Sequence, residues 1–266
     1  MKTKLLLVFC LVFSLPATSA DLVFADPEGD DNGPGGYLYP TASEYKSGSF
    51  DLTKMELKDR GDKLDIVLHF KATIEDPWKS RDWPVKGNGF SLQMAFVFFD
   101  TDGKEGSGHT EGIPGLNVRF APASAWEKAV IISPQGNNRI KSEIQEKAKN
   151  LEKDLIIPLK VKASGKKIIA TVSKKELGQP AAGWGYQVLV QSNEGYPDKT
   201  DLLTRKVNQA RGEHRFGGGR DDDCDPHVID LLAGEAKGDK SEIELQHKML
   251  GNFACEKPAE ITMVKR

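Results

Sequence analysis

The chain has 266 residues, 38% of them hydrophobic and 29% charged, with 37 basic residues against 39 acidic ones. A formal net charge of −2 argues against a nucleic-acid partner, because a polyphosphate selects for a strongly basic surface. The length suits one large β domain or two small ones.

The first residues read as a secretory signal. Lys2 and Lys4 give a positive start, Leu5 to Leu15 an apolar core too short to span a bilayer, and Thr18-Ser19-Ala20 small residues for cleavage before Asp21. The expected mature chain is a single domain, 21–266, exported to the periplasm or secreted. Without Lys2 and Lys4 the basic count falls from 37 to 35 against 39 acidic residues, a net of −4. No later apolar run is long enough to cross a membrane. Cys10 leaves with the signal, so Cys224 and Cys255 remain. In an exported chain this pair is expected as a disulfide. Two free thiols, or a pair of metal ligands, are the competing readings.

Asp26 to Pro40, DPEGDDNGPGGYLYP, packs four carboxylates among four glycines and is neither a helix nor a central strand. Oxygen donors along a flexible loop suit Ca²⁺; a solvated acidic turn is the bland alternative. Strands follow. Phe50, Leu52 and Met55 begin one, and Leu64, Ile66, Leu68 and Phe70 alternate with Asp65, Val67 and His69 in a half-buried second. Glu75 to Phe90 is a Pro- and Gly-punctuated loop carrying Trp78 and Trp83. Exposed indoles can stack on sugar rings, their flat π-faces packing on C–H edges, or they can plug the end of a sandwich. Ser91 to Asp100, SLQMAFVFFD, is apolar on both faces and predicts a central, fully covered strand. The Asp100-Thr101-Asp102-Gly103 turn resembles only a fragment of a calcium loop.

Trp126 to Ser133 is a further strand. Ile140, Ile144, Ala148, Leu151 and Leu155 fall at helical spacing and predict an amphipathic helix over 138–154 that covers one sheet face. Leu155 to Ala163 and Lys167 to Val172 read as a strand pair, and Ser173 to Glu176 as a capping box opening a short helical turn. Trp184 to Ser192 alternates as a strand. Glu213 to Leu232, EHRFGGGRDDDCDPHVIDLL, sets three glycines beside three aspartates and a cysteine, backbone freedom next to dense carboxylate. A second capping box at Ser241 opens a helix through Leu250, and Ile261 to Val264 returns as a last strand.

Taken together, DPEGDDNGPGGYLYP, NGFSLQ before FVFFDTDG, PGLNVRFAP before AWEKAVIIS, WGYQVLVQS and HRFGGGRDDDCDPHVIDLL resemble, in one order, the DOMON-like C-terminal domain of glucodextranases and related amylopullulanases. The resemblance covers roughly Leu22 to Leu232 and implies an immunoglobulin-like (DOMON-like) antiparallel β-sandwich with one or two peripheral helices. It implies a non-catalytic exported module that binds polysaccharide or cell-surface glycan. Trp78, Trp83, Trp184 and Tyr186, near segment ends, are the candidate stacking residues, with ordinary core packing the alternative for Trp184. Asp30 and Asp31 from the first acidic loop, with Asp221, Asp223 and Asp225 from the last, are candidate Ca²⁺ ligands if the two loops meet, since such carboxylates repel one another without a cation.

The broader DOMON group also holds b-type haem cytochromes, and Met94, His69 and His109 are the side chains that would serve as axial ligands in that alternative. Catalysis is not expected: the chain has no nucleophile elbow, no His-Glu-x-x-His and no phosphate loop. His214 and His227 flank the aspartate cluster as a conceivable metal pair or as surface loop residues. No organic cofactor is expected.

Overall fold

The computed structural model describes residues 21–232 and 240–265, so the expected signal segment lies outside the described residues. Its strands, in chain order, are β1 (Leu22–Ala25), β2 (Leu52–Arg60), β3 (Lys63–Phe70), β4 (Gln93–Asp100), β5 (Val118–Phe120), β6 (Lys128–Ile132) and β7 (Leu155–Ile156). They continue as β8 (Lys160–Ser164), β9 (Lys167–Ser173), β10 (Gly185–Ser192), β11 (Asp230–Leu231), β12 (Ala259–Ile261) and β13 (Val264–Lys265). The helices are α1 (Asn137–Lys147), α2 (Lys174–Leu177) and α3 (Lys240–Gly251).

The first sheet has the order β1-β2-β3-β9-β8, antiparallel throughout. The second runs β11-β10-β4-β6-β7, with β13 also paired to β10. Within it only β6 and β7 pair in parallel. A separate parallel pair joins β5 to β12. The chain is therefore the mainly β sandwich that the alternating runs predicted.

The all-apolar β4 shows why the layers stack as they do. Ala95, Val97 and Phe99 face the first sheet and share one core with Leu52, Ile66 and Leu68. Met94, Phe96 and Phe98 face the other way, into a second core with Ile140 and Ile144 of α1 and Leu250 of α3. Every residue of β4 is buried, as a strand covered on both faces requires. Each large apolar side chain held this way stabilises by roughly 1.5–3 kcal/mol relative to exposure.

Three boundaries differ from the sequence expectation. The helix expected over 138–154 ends at Lys147, because Ala148 leaves helical geometry (φ −134°) and a 3-10 turn, Lys149–Leu151, carries Leu151 into the second core. The strand expected from Leu155 to Ala163 divides between sheets: β7 pairs with β6 in the second and β8 with β9 in the first. Pro158 falls between them and has no N–H to offer a ladder. The single last strand expected from Ile261 to Val264 divides into β12 and β13, on different partners.

The two acidic, glycine-rich segments do meet. Leu38 and Gly217 exchange backbone bonds of 2.8 and 2.9 Å, Gly33 N–H reaches Ile229 O at 2.8 Å, and the Tyr37 hydroxyl donates to Pro226 O at 2.7 Å. Gly218 permits the approach: its φ is +87°, and a Cβ there would stand 2.1 Å from Gly36 O. Cys224 and Cys255 form the expected disulfide, their Cα atoms 4.9 Å apart.

Candidate functional site

Asp76 builds the loop between β3 and β4 that carries Trp78 and Trp83. Its carboxylate accepts from Ser80 N–H at 2.8 Å, Ser80 Oγ at 3.0 Å and Ser91 Oγ at 2.5 Å. Ser91 Oγ in turn accepts Trp78 N–H, and Ser80 Oγ accepts Gly89 N–H. Both serines are fully buried, so a polar knot fixes the loop to the start of β4. Trp83 adds its indole N–H to Trp78 O at 2.9 Å, which leaves its ring faces unclaimed by that bond.

These two indoles line a pocket of about 390 Å³ at one end of the sandwich. That is within the roughly 300–1,000 Å³ typical of small-ligand sites. Val85, Gln135, Arg139, Asn193, Glu194 and Tyr196 also line it, together with Arg205 and His214. Trp78 is half-buried against the main core, with the Arg205 guanidinium 5.8 Å over its ring and His214 edge-on at 5.6 Å. Tyr196, by contrast, is 93% exposed, and Val85 is exposed as well.

The polar rim is partly spoken for. Arg205 pairs with Glu194 at 3.4 Å, Gln135 Nε2 donates to Asn193 Oδ1 at 3.2 Å, and Arg139 pairs with Glu143 at 2.6 Å. Arg139 Nε and His214 Nδ1 have no hydrogen-bond partner, but both atoms are buried and do not face the pocket opening. Flat aromatic faces beside a polar rim can take a ligand that is apolar on one face and hydroxylated at its edge.

Of the four expected stacking residues, Trp78 and Trp83 come together here and the other two do not. Trp184 is 9% exposed and Tyr186 fully buried, both in the main core, where they pack on Phe99 and Tyr186 also on Phe24. Both faces of the second sheet are covered, Tyr186 and Val188 turning into the main core and Leu189 into the second, so the alternation of β10 carries no solvent face. Sequence reading missed Tyr196, whose signal was an aromatic set between Gly195 and Pro197.

The expected cation ligands are also sorted differently. Asp221 is exposed, Asp223 pairs with Lys206 at 2.7 Å, and Asp225 accepts Arg220 N–H at 2.7 Å, so these three do not converge with the first acidic loop. Asp31 accepts the Tyr39 hydroxyl. Asp30 does enter a cluster, but with Asp26 and Asp230, carboxylate atoms of all three lying within 4.8 Å of one another. They are 5%, 1% and 0% exposed. At an effective dielectric near 20, each ionised pair at that spacing repels by roughly 3 kcal/mol. Burial first, and the neighbouring carboxylates second, push Asp26 and Asp230 well above the usual carboxylate range. Burial likewise lifts Asp30 to about 7 and Asp51 to about 6. Asp230 was missed because it sits between Ile229 and Leu231 in an apolar strand; a lone carboxylate there was the available signal.

The Asp100-to-Gly103 turn forms a third acidic group with Glu127. Protein donors already serve it: Gly103 N–H at 2.6 Å to Asp100, Thr101 N–H at 2.7 Å to Glu127 and Ser107 Oγ at 2.8 Å to Asp102. The three candidate haem ligands diverge. Met94 points into the second core, His69 pairs with Glu56 at 2.8 Å away from the core of the first sheet, and His109 pairs with Asp154 at 2.9 Å. Both sheets thus stand between Met94 and His69, and no one haem spans them. His214 lines the pocket and His227 is buried, so they form no metal pair.

Among the described residues no helix is long and apolar enough to cross a membrane. A search of curated proteins found no match to the chain. Residues 22–265 match the model of the C-terminal, SLH-like binding module of glucodextranase, and the chain belongs to that family.

Proposed function

We propose that this is an exported, non-catalytic module that binds polysaccharide or a cell-surface glycan in the pocket of Trp78, Trp83 and Tyr196. The family is a binding module rather than a catalytic domain. The observation that carries the reading is the pairing of an open aromatic wall with a polar rim. A pyranose ring presents axial C–H groups to an aromatic face and hydroxyls at its edge, and the partly exposed side chains of Arg139 and His214 border the pocket where that edge would lie. Exposing Tyr196 and Val85 to water costs stability, and a ligand that covers them recovers it. Export is supported by the amino-terminal composition and by a disulfide, which persists in oxidising compartments. The cation part of the expectation concerns carboxylates outside this pocket and stands or falls separately.

The test is binding of the mature chain to a polysaccharide panel by affinity electrophoresis and calorimetry, repeated with Trp83→Ala and Tyr196→Ala. Each variant is expected to keep its melting temperature and lose at least tenfold in affinity, about 1.4 kcal/mol. Silence across the panel, or two variants that bind like the parent, would sink the reading.

A further inference from the structure

We infer that Asp26, Asp30 and Asp230 hold one Ca²⁺ ion, which staples the two sheets of the sandwich together along one edge. The acidic cluster alone would not carry this. What carries it is that both carboxylate oxygens of Asp26, and Oδ1 of Asp30, are buried within the cluster and have no hydrogen-bond partner. Buried polar atoms are ordinarily satisfied, and an orphaned carboxylate aimed at two others is the least tolerable case. Among the described residues no lysine, arginine or histidine lies within salt-bridge range of any of the three. Lys71, at the margin, is turned to Glu28 and Asp51. The missing charge is therefore positive, and its donors are all hard oxygens.

The spacing selects the ion. Ca²⁺ takes oxygens at about 2.3–2.6 Å, so donors on opposite sides of one ion stand up to about 5 Å apart. Separations within 4.8 Å fit that sphere. Mg²⁺, with donors at about 2.0–2.1 Å, draws them closer, demands strict octahedral geometry and gives up its waters reluctantly.

The position gives the ion its job. Asp26 directly follows β1, the edge strand of the first sheet, and Asp230 opens β11, the edge strand of the second. Asp230 Oδ2 already accepts Leu52 N–H of β2 at 2.7 Å, and Oδ1 accepts Leu231 N–H at 2.8 Å, so this carboxylate is fixed in place. Gln246 of α3 holds the third ligand's backbone, donating to Asp30 O at 2.5 Å and accepting Leu231 N–H at 3.0 Å. An ion here joins β1, the acidic loop and β11 at the point where the layers would otherwise part.

The experiment uses the mature chain, 21–266, stripped with EDTA. Calorimetry with Ca²⁺ is expected to give one site, and melting a rise of roughly 5–10 °C at a hundredfold excess over the dissociation constant. Asp26→Asn, near-isosteric and uncharged, is expected to melt above the parent in EDTA and to lose the Ca²⁺ response. Asp221→Asn, in the exposed part of the other acidic segment, is expected to keep it. If Asp26→Asn does not fold, terbium luminescence on the parent decides: one Tb³⁺ displaced by one Ca²⁺ supports the site. The inference is overturned by a parent chain that takes up no Ca²⁺, by an Asp26→Asn variant with the full response, by equal responses to Mg²⁺ and Ca²⁺, or by Tb³⁺ that Ca²⁺ does not displace.

Discussion

Asp76 Oδ1 accepts the hydroxyl of Ser91 at 2.5 Å, and this bond ties the tryptophan loop to the foot of β4. Truncation in Asp76→Ala leaves the buried Ser80 and Ser91 hydroxyls and the Ser80 amide without their acceptor. Each buried donor so orphaned costs about 1–3 kcal/mol. Urea unfolding should show a loss at or above the top of that single-donor range, and glycan affinity should fall with it, because Trp78 and Trp83 lose their fixed setting. Asp76→Asn keeps an acceptor and should lose less on both readouts. A variant that unfolds early yet binds like the parent would separate the loop from the site.

Gly218 is the tightest approach between the two acidic segments. In Gly218→Ala the new Cβ meets Gly36 O at 2.1 Å in a left-handed backbone. Strain and overlap together should cost roughly 2–4 kcal/mol. Gly61, in the turn between β2 and β3, also has positive φ (+76°) but open space around it. Gly61→Ala should therefore cost only about 1 kcal/mol, the backbone part alone. Paired melts of the two variants measure the difference; equal losses would mean that the segments do not touch as described.

The Cys224–Cys255 bridge spans a sequence separation of 31, and closing such a loop stabilises by about 3–4 kcal/mol on the chain-entropy model. Arg220, 4.7 Å over the Phe253 ring, reinforces the same junction. The oxidised mature protein should show no free thiol to Ellman's reagent. Cys255 is exposed, so a mild reductant should open the bridge without denaturant and lower the melting temperature. Two titrating thiols in the untreated protein would remove the bridge from the account.

What the sequence made legible was set by pattern. The both-faced run of β4 announced a covered central strand, and the helical spacing of Ile140 and Ile144 announced the helix that covers it. Trp78 and Trp83 were readable because Pro and Gly punctuation marks a loop. Trp184 and Tyr186 were offered for stacking because they lie near a segment end, whereas β10 runs inside a sheet covered front and back. That the acidic segments meet was left open by the sequence, and so was which carboxylates turn inward. That choice depends on register: Asp230 is drawn in by Leu52 N–H, while Asp223 is drawn out by Lys206. Tertiary pairing of this kind leaves no local mark.

His227 is a further buried titratable group of that segment, and it predicts a pH dependence. Its Nδ1 accepts Val207 N–H at 3.2 Å, a bond that only the neutral ring can make. Burial pushes the imidazole down from 6.5 to about 4; Asp223 opposes this shift and Lys206 adds to it. The unfolded chain therefore takes up a proton between pH 6.5 and about 4 that the folded chain refuses. Stability from this group is complete above pH 6.5 and is lost as pH falls through that window, by roughly 3 kcal/mol in all. Other carboxylates titrate in the same window, so the informative quantity is the difference between the parent and His227→Asn, which retains an acceptor but no titration. Melting both from pH 7 to pH 4 should show a steeper acid loss in the parent, with the curves converging toward the acid end. Parallel curves would mean that His227 does not resist protonation in the folded chain.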